Sequence, residues 1–371
     1  MPRRLASASA LLLAACTARE APPAADAWRP LPPIPPADTL ATPAAGALVP
    51  EVVTAPVLED SDDPAIWIDP ADPARSLVIG TDKGDTNGGL YVFRLDGSLD
   101  TARTRHPLRR PNNVASTTGL PLGGRSIDIA VTTERGARRL RVFTLPDMRA
   151  VDGGGIPVFD GDTARAPMGV ALYRRPSDGA IFAIVGGKSG PAEGYLWQYR
   201  LADDGTGTVR GTKVRAFGAY GAQKEIEAIA VDDRLGYVYY SDETVGVRKY
   251  HADPDRPEAG AELALFADTG VVQDHEGLAI YATGDSTGYL VLSDQQGRRI
   301  QVFPREGSAR DPHAHSPLAV IPVSAMETDG LEVTNVPLGP RFPQGMLVMM
   351  STNRTFHFYD WRDVAARLPR R

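Results

Sequence analysis

The chain has 371 residues, 42% of them hydrophobic and 7% aromatic, which is enough to bury a large core in one big domain or two ordinary ones. Its formal net charge of −6 is mild and gives none of the basic character that nucleic-acid binding needs, so we expect no nucleic-acid partner. An anionic substrate would need local cations, from side chains or metal ions, to approach such a chain.

The N-terminus predicts a targeting segment. Arg3 and Arg4 precede a short apolar run that ends in Leu13-Ala14-Ala15-Cys16 and is too brief to span a bilayer. Because this ending resembles a bacterial lipobox, we expect residues 1–15 to be a lipoprotein signal peptide and the Cys16 thiol to carry lipid; an ordinary signal peptide is the alternative. Cys16 is the only cysteine, so the mature domain has no thiol for a disulfide or a cysteine nucleophile.

Residues 16–50 form the predicted tether behind that anchor. They are rich in proline and alanine and have almost no hydrophobic periodicity, which is typical of an extended, disordered segment. Thr17, which follows the lipidated cysteine, is not the aspartate associated with inner-membrane retention. We therefore expect a protein that is secreted across the inner membrane and anchored at the outer membrane, in the periplasm, with no membrane contact besides the lipid.

From residue 51 onwards, short β-runs and turns recur as six similar units. The second strands of these units are SLVIGTDK (76–83), SIDIAVTTER (126–135), AIFAIVGGKSG (180–190), GYVYYSDET (236–244), GYLVLSDQQ (288–296) and GMLVMMSTNR (345–354). Six small sheets predict an all-β domain over residues 51–371, a six-bladed β-propeller; a β-sandwich or two smaller β-domains is the alternative. Residues 361–368 predict a short closing helix.

Polar residues collect at two places in each unit, the start of the first strand and the end of the second. The strand starts carry Asp62, Asp63, Glu227, Glu276 and Asp329, and the strand ends carry Asp82, Lys83, Glu134, Arg135, Lys188, Asp242, Glu243, Asp294, Gln295 and Arg354. Both places lie at the same end of an antiparallel hairpin, so we expect all of these side chains to converge on one face around the central channel.

A ring of carboxylates with a glutamine suits calcium, which takes six to eight oxygen ligands. Zinc is disfavoured because the mature chain has no cysteine and its histidines, among them His275, His313 and His315, do not cluster at ligand spacing. Lys83, Arg135 and Lys188 occupy matching positions in units one to three. Cations beside several calcium ions favour an anion of high charge density, with phosphate the obvious candidate, and attack by a metal-bound water. No serine elbow or Walker loop is present.

At these residues the chain resembles the β-propeller phytases, calcium-dependent enzymes that hydrolyse inositol hexakisphosphate. The most diagnostic match is SDDPAIWIDP (61–70). Further matches in family order are PNNV (111–114), DIAVTTER (128–135), GGKSG (186–190), KVRAF (213–217), EAIAVDD (227–233), DHEGLAIY (274–281), GYLVLSDQ (288–295) and TDGLEV (328–333). The resemblance covers nearly everything from Val57 to about Trp361, and implies a 3-phytase-like activity.

The resemblance also implies roles for individual residues. Ligands of catalytic calcium at the mouth of the channel would be Asp62, Glu227, Glu243, Asp274, Glu276 and Gln295, with Asp62, Glu227, Asp274 and Glu276 as the catalytic set. Structural calcium nearer the shaft would be held by Asp63 and Asp329. Substrate phosphates would be bound by Lys83, Arg135 and Lys188. A monomer that acts on phytate or other inositol phosphates is therefore expected.

Three positions depart from the family pattern. Ala115, Met168 and Ser189 stand where the family has an acid, a tyrosine and an acid, so we expect a weaker calcium or phosphate contact at each, which affects the catalytic rate more than the fold. Two alternative functions remain at this point: a non-catalytic, calcium-stabilised binding propeller, and a metal-dependent propeller esterase or lactonase. The trio of cations argues against the second, because a neutral ester does not need it.

Overall fold

Twenty-four β-strands, one short α-helix and two 3₁₀ turns make up the regular structure of residues 28–369, the part of the chain that this computed structural model describes. The predicted signal peptide and Cys16 lie outside the described residues. The strands form six four-stranded antiparallel sheets, and within each sheet neighbours in the chain are neighbours in space, apart from one strand.

The first three sheets contain β2 (Ser61–Trp67), β3 (Leu77–Asp82), β4 (Gly88–Arg94) and β5 (Arg105–Leu108); β6 (Pro111–Leu122), β7 (Arg125–Glu134), β8 (Arg139–Leu145) and β9 (Ile156–Pro157); and β10 (Pro167–Arg174), β11 (Ile181–Gly187), β12 (Glu193–Asp203) and β13 (Val209–Ala219). The next two contain β14 (Ile229–Asp232), β15 (Tyr237–Asp242), β16 (Gly246–His251) and β17 (Ala264–Phe266); and β18 (His275–Ala282), β19 (Gly288–Asp294), β20 (Arg299–Pro304) and β21 (Ala319–Pro322). The last contains β22 (Leu331–Thr334), β23 (Met346–Ser351), β24 (Thr355–Asp360) and β1 (Val52–Val53).

These sheets are the blades of a six-bladed β-propeller, which confirms the fold predicted from the six repeats. The first strand of every blade lines one central channel, whose cavity measures about 200 Å³. Most strands are buried on both faces because each blade packs between two others; all seven residues of β11 are buried. This explains why the second strands read as continuous apolar runs instead of alternating ones.

The last blade is completed by the first strand of the described chain. Val52 pairs with Phe358 and Val53 with His357, so β1 forms the outer edge of the sheet made by β22, β23 and β24. This pairing closes the ring. The outer strands of the other blades vary in length, from two and three residues in β9 and β17 to eleven in β13, and the repeat pattern did not show them.

A β-bulge opens the inner strand of at least four blades. In the first blade Ser61 pairs with Asp82 and Pro64 with Gly80, so the two residues between Ser61 and Pro64 oppose a single residue of β3. The same shift occurs at the starts of β6, β10 and β18. Such a bulge re-aims side chains, and all four bulges lie at the same end of the channel.

The second bulge residue packs closely against a neighbouring blade, which favours a small side chain in several blades. A Cβ on Gly169 would lie 1.8 Å from the carbonyl oxygen of Glu227, and a Cβ on Gly330 would lie 2.3 Å from Asp63 Oδ1. Any larger residue there would push adjacent blades apart. The first bulge residue is therefore the one that is free to carry a long functional side chain.

Residues 28–50 are extended and pack along the outside of the propeller. The backbone of Arg29 donates to His106 O of the first blade (2.7 Å), and the Trp28 ring lies 5.7 Å from that of Phe143 in the second. Further along, Asp38 pairs with Arg354 of the sixth blade, and Leu48 bonds to the edge of the fifth. This part of the predicted tether does not hang free, because backbone hydrogen bonds, the Trp28 ring and the Asp38 carboxylate bind it to four blades.

The predicted closing helix is present as α1 (Trp361–Ala365), shorter than the predicted stretch of 361–368. Asp360 caps it by accepting a hydrogen bond from the backbone of Arg362 (2.9 Å), and Trp361 stacks on Tyr281 with ring centroids 3.7 Å apart. Among residues 28–369 there is no helix with the length and apolar character needed to cross a membrane.

Candidate active site

The first bulge residues of the six blades form an inner ring at one mouth of the channel. This inner ring consists of Asp62, Asn112, Met168, Glu227, Glu276 and Asp329. In the fourth and sixth blades, backbone hydrogen bonds assign Glu227 and Asp329 to the same position. Ser241 N donates to Ala228 O, and Met350 N donates to Gly330 O, both at 3.0 Å. Asn112 joins two members of the ring, because its Nδ2 donates to Asp62 Oδ2 (2.9 Å) and to Glu227 Oε1 (2.5 Å).

The residue after the second strand forms an outer ring around the same mouth. It is Lys83, Arg135, Lys188, Glu243 and Gln295 in the first five blades. The expectation that these strand ends converge on the mouth therefore holds for this position.

It does not hold for the residue just before it, at the end of the second strand. Successive side chains of a strand point to opposite faces, so Asp82, Glu134, Asp242 and Asp294 turn away from the mouth. Each accepts hydrogen bonds from loop backbone; Asp82, for example, accepts from the amides of Leu58, Glu59 and Asp60 at 2.9–3.1 Å. Arg354 is also displaced, since it pairs with Asp38 and with carbonyls of the segment before β2. These charges fix loops and do not belong to the site.

Lys83 stands at the centre of the charge network on one side of the mouth. Its Nζ lies 2.7 Å from Asp62 Oδ1 and 2.5 Å from Asp329 Oδ2, and Gln295 Nε2 donates to the other oxygen of Asp329. Asp62 is fully buried, and the Lys83 side chain is 22% exposed. The ammonium therefore compensates two carboxylates and still presents one side to the cleft.

On the other side of the mouth, carboxylates gather with too few partners. One group is Glu225, Glu227 and Glu243; a second is Glu243, Asp274 and Glu276; within each group one oxygen per residue lies within 4.8 Å of the others. Glu243 Oε1, Asp274 Oδ1 and Glu276 Oε2 are buried and have no hydrogen-bond partner among the described residues. Buried, unpaired carboxylate oxygens from several residues are the donor set of a hard metal ion, so these residues fit a metal site.

The two aspartates predicted to lie nearer the shaft are placed differently. Asp63, the second bulge residue of the first blade, lines the channel and accepts a hydrogen bond from Val114 N (2.9 Å). Asp329 instead lies in the mouth, with Lys83 and Gln295. Asp63 lies nearer the shaft, as expected, and Asp329 does not. The reason is that Asp63 is the second bulge residue of its blade and Asp329 the first, and the bulge turns these two positions in different directions.

The mouth opens as a cleft of about 190 Å³ with cations along one wall. Its lining residues are Lys83, Arg110, Asn112, Arg135, Met168, Lys188, Glu225, Glu227, Glu276 and Asp329. The structure thus brings together the three predicted phosphate-binding cations. Lys188 pairs with Glu225 and is 45% exposed, so it lies further out than Lys83.

Burial and crowding favour the protonated form of the site carboxyls when no metal is bound. Burial raises the pKa of Glu227 to about 8, with Asp329 adding to the effect, and burial raises the pKa of Glu243 to about 7. Burial also raises the pKa of Asp62 and Glu276 well above their usual range. Burial acts to lower the pKa of Lys83, but Asp62 and Asp329 outweigh it and hold the amine charged. A bound cation would reverse this balance by favouring the ionised carboxylates.

The three departures from the family pattern occupy different surroundings. Met168 is a member of the inner ring and lines the cleft, while its backbone oxygen accepts from Thr133 Oγ1 (2.6 Å). Ala115 faces the channel below the mouth. The backbone oxygen of Ser189 accepts from Arg165 Nε (3.0 Å). Only Met168 therefore replaces a possible oxygen ligand at the cleft itself.

Several site residues were not predicted. Asn112 lies in the quoted PNNV stretch, and aligning the bulge positions of the repeats would have found it. Arg110 and Glu225 also line the cleft, and the Lys224 ammonium lies 2.9 Å from Glu243 Oε2 and 2.8 Å from Asp274 Oδ2. These three lie in loops, where neither periodicity nor register marks the direction of a side chain.

Comparison with known proteins identifies the family. The family model described as Phytase matches residues 40–357. A 3-phytase from Bacillus subtilis (strain 168) is 28% identical over 330 residues, which cover 83% of this chain and 81% of the relative. A solved structure of the Dos1 propeller covers 81% of this chain and 67% of that chain at 13% identity, with a TM-score of 0.41. Because the family match extends over most of the sequence, the chain belongs to the phytase family of phosphatases.

Proposed function

We propose that this protein is a calcium-dependent phosphatase that releases phosphate from phytate, myo-inositol hexakisphosphate, by attack of water on phosphorus. The observation that carries the proposal is the cleft itself. Metal-binding carboxylates form one wall, Lys83, Arg135 and Lys188 stand beside them, and the relative from Bacillus subtilis is a 3-phytase. An esterase for neutral substrates does not need both sets in one cleft, whereas a binding-only propeller differs from the proposed phosphatase in releasing no phosphate.

Calcium is the metal that the donor set favours. The candidate ligands Asp62, Asp63, Glu227, Glu243, Asp274, Glu276, Gln295 and Asp329 offer oxygen atoms only. Calcium accepts six to eight oxygens in flexible geometry, whereas magnesium requires a near-ideal octahedron, and Glu243 belongs to both groups of carboxylates that could hold an ion. When bound, calcium would supply charge neutralisation at the phosphoryl group.

The cations of the chain would hold the substrate. Lys83 is fixed by Asp62 and Asp329 and lies deep in the cleft, whereas Lys188 lies at its outer edge. Positive charges at two depths of the cleft fit a substrate that carries several phosphates. One phosphate would lie near the carboxylates and Lys83, and a neighbouring phosphate near Lys188. Arg135 also lines the cleft and belongs to the second blade, between the blades of Lys83 and Lys188; its guanidinium can make a bidentate contact with phosphate.

The direct test is phosphate release from phytate by metal-stripped protein, with and without added calcium. We expect turnover only with calcium, and Arg135→Ala should lower it about tenfold or more, because a charge-assisted hydrogen bond contributes about 1.5–3 kcal/mol. Release that is unchanged in excess chelator would refute the calcium requirement. Calcium binding without any phosphate release would favour the binding-only propeller, and hydrolysis of neutral esters alone would favour the esterase.

We further propose that the protein acts as a monomer at the outer membrane, where Cys16 carries the lipid. Support comes from the lipobox-like ending and the single cysteine. Labelled palmitate should be incorporated into the full chain, and Cys16→Ser should abolish the label and release the protein from the membrane fraction. Label retained by Cys16→Ser would contradict the assignment of Cys16.

A further inference from the structure

Lys224 reaches into the metal-binding wall from a loop that the family resemblance does not mark. It lies between β13 and β14, and its Nζ stands 2.9 Å from Glu243 Oε2 and 2.8 Å from Asp274 Oδ2. Both carboxylates are almost fully buried, with side chains 1% and 3% exposed. The ammonium is therefore the counter-ion of two of the three acids that could share a metal ion.

One ammonium does not satisfy this cluster. Glu243, Asp274 and Glu276 each keep a buried carboxylate oxygen with no hydrogen-bond partner among the described residues. Several buried acids against one ammonium leave oxygen atoms without a partner, and a further cation would use them and favour the ionised carboxylates. A divalent ion would compensate more of this charge and use more of the free oxygens than the ammonium does.

The ammonium and a metal ion would share the same two carboxylates, Glu243 and Asp274. An ion shared by Glu243, Asp274 and Glu276 must lie within a group whose oxygens are no more than 4.8 Å apart, and the Lys224 ammonium already contacts two of these residues. Two cations confined to that space repel each other strongly, because the surroundings are buried. Occupation by one therefore opposes occupation by the other.

We propose that Lys224 is a built-in competitor for calcium: its ammonium holds Glu243 and Asp274 together in the metal-free protein and leaves them when calcium binds. This inference rests on the proposed function, in which calcium occupies this cluster. It assigns to Lys224 the control of calcium affinity, so that the site fills only when calcium is abundant enough to displace the amine.

The side chain is able to leave without unfolding the loop. The Lys224 side chain is 36% exposed, and its charge sits at the end of a flexible four-carbon stem. The backbone at this residue is held separately, because Tyr220 OH donates to Lys224 O. Rotation of the side chain alone therefore carries the ammonium from the carboxylates into solvent at the rim of the cleft.

The test is direct calcium titration of the chelator-stripped full chain by calorimetry, comparing the parent with Lys224→Gln. Glutamine keeps a flexible polar side chain, one atom shorter than that of lysine, and removes its charge. We expect the Kd of one calcium step to fall about tenfold or more, since two charge-assisted contacts no longer have to be broken. Lys213→Gln removes the same charge from an exposed position on the outer strand β13 and should leave the Kd of the parent unchanged.

A melting experiment supplies a second readout. In chelator Lys224→Gln should melt below the parent, because its carboxylates have lost their counter-ion, and calcium should raise its midpoint by more than it raises that of the parent. Lys224→Arg keeps a cation in place and should bind calcium no more tightly than the parent. It keeps the test decisive if the glutamine variant does not fold.

The outcomes separate the inference from the function on which it rests. Equal Kd values for the parent and Lys224→Gln, or tighter calcium binding by Lys224→Arg, would overturn the role of Lys224 while calcium dependence stands. Calcium binding by Lys224→Gln but not by the parent would support the role of Lys224 and refute calcium dependence of the natural chain. If neither binds calcium, both are wrong.

Discussion

Replacing Lys83 by glutamine should destabilise the metal-free protein far more than the same change at Lys188. Lys83 is the counter-ion of fully buried Asp62 and of Asp329, at 2.7 and 2.5 Å. Removing one partner of a buried ion pair costs about 3–5 kcal/mol, whereas an exposed pair such as Lys188 with Glu225 contributes about 0–1 kcal/mol. The two variants lose the same charge, so the difference between them measures burial.

The effect can be measured as a melting midpoint in chelator at pH 8. For a domain of this size, 1 kcal/mol corresponds to about 2 °C, so Lys83→Gln should melt about 6–10 °C below the parent and Lys188→Gln no more than about 2 °C below it. The Lys83→Gln deficit should shrink at pH 5, where unpaired Asp62 can take up a proton, and on addition of calcium, which can replace the missing charge.

Similar small deficits in both variants would refute this reasoning, because they would show that Asp62 does not depend on Lys83. A Lys83→Gln deficit that grows as the pH falls from 8 to 5 would also contradict it, because protonation can only relieve an orphaned carboxylate.

Three further predictions concern the carboxylates and Met168 at the mouth of the channel. Calcium should raise the melting midpoint of the metal-stripped protein, by about 2.7 kcal/mol of stability at a hundredfold excess over Kd; an unchanged midpoint would argue against a folded-state site. In chelator the melting midpoint should fall as the pH rises from about 5 to 8. Glu227 and Glu243, with pKa values of about 8 and 7 in the folded protein, retain protons that the unfolded chain releases near pH 4.5. A midpoint that rises over this pH range would contradict those pKa shifts. Activity should require more calcium than stabilisation does, because the Met168 thioether at the cleft is a poor partner for a hard cation. Met168→Tyr should bring the calcium titrations of activity and of the melting midpoint together. Coincident titrations in the parent would remove Met168 from the site.

The fold could be predicted because its signal is repeated. Each blade carries an apolar second strand that ends in polar residues, and six repetitions outweigh the drift in their spacing. Outer strands such as β1 and β17 escaped notice because they have only two and three residues, whereas β13, with eleven, is an exception. The docking of residues 28–50 was also missed, since a proline-rich stretch without periodicity looks the same whether it is free or packed on a surface.

The site residues were predictable where their position in the repeat determines the direction of the side chain. Asp62, Glu227 and Glu276 were found because each begins an inner strand. Asp82 and Lys83 were grouped together although adjacent side chains point to opposite faces, and attention to strand alternation would have separated them. Lys224 could not be found in this way, because a loop residue has no register and its partners Glu243 and Asp274 come from other parts of the chain.

The closure of the ring also determines when the protein can finish folding. Strand β1 is synthesised before every blade, yet its partner β24 is almost the last segment to be made, so the contact between Val52 and Phe358 must wait for nearly the whole chain. Contacts between such distant residues form slowly, and until then the edge of β24 exposes unpaired backbone groups to other chains. The assembled blades thus form an open ring that is prone to association with other chains. Pairing of Val52 and Val53 with β24 closes the ring and ends this exposure.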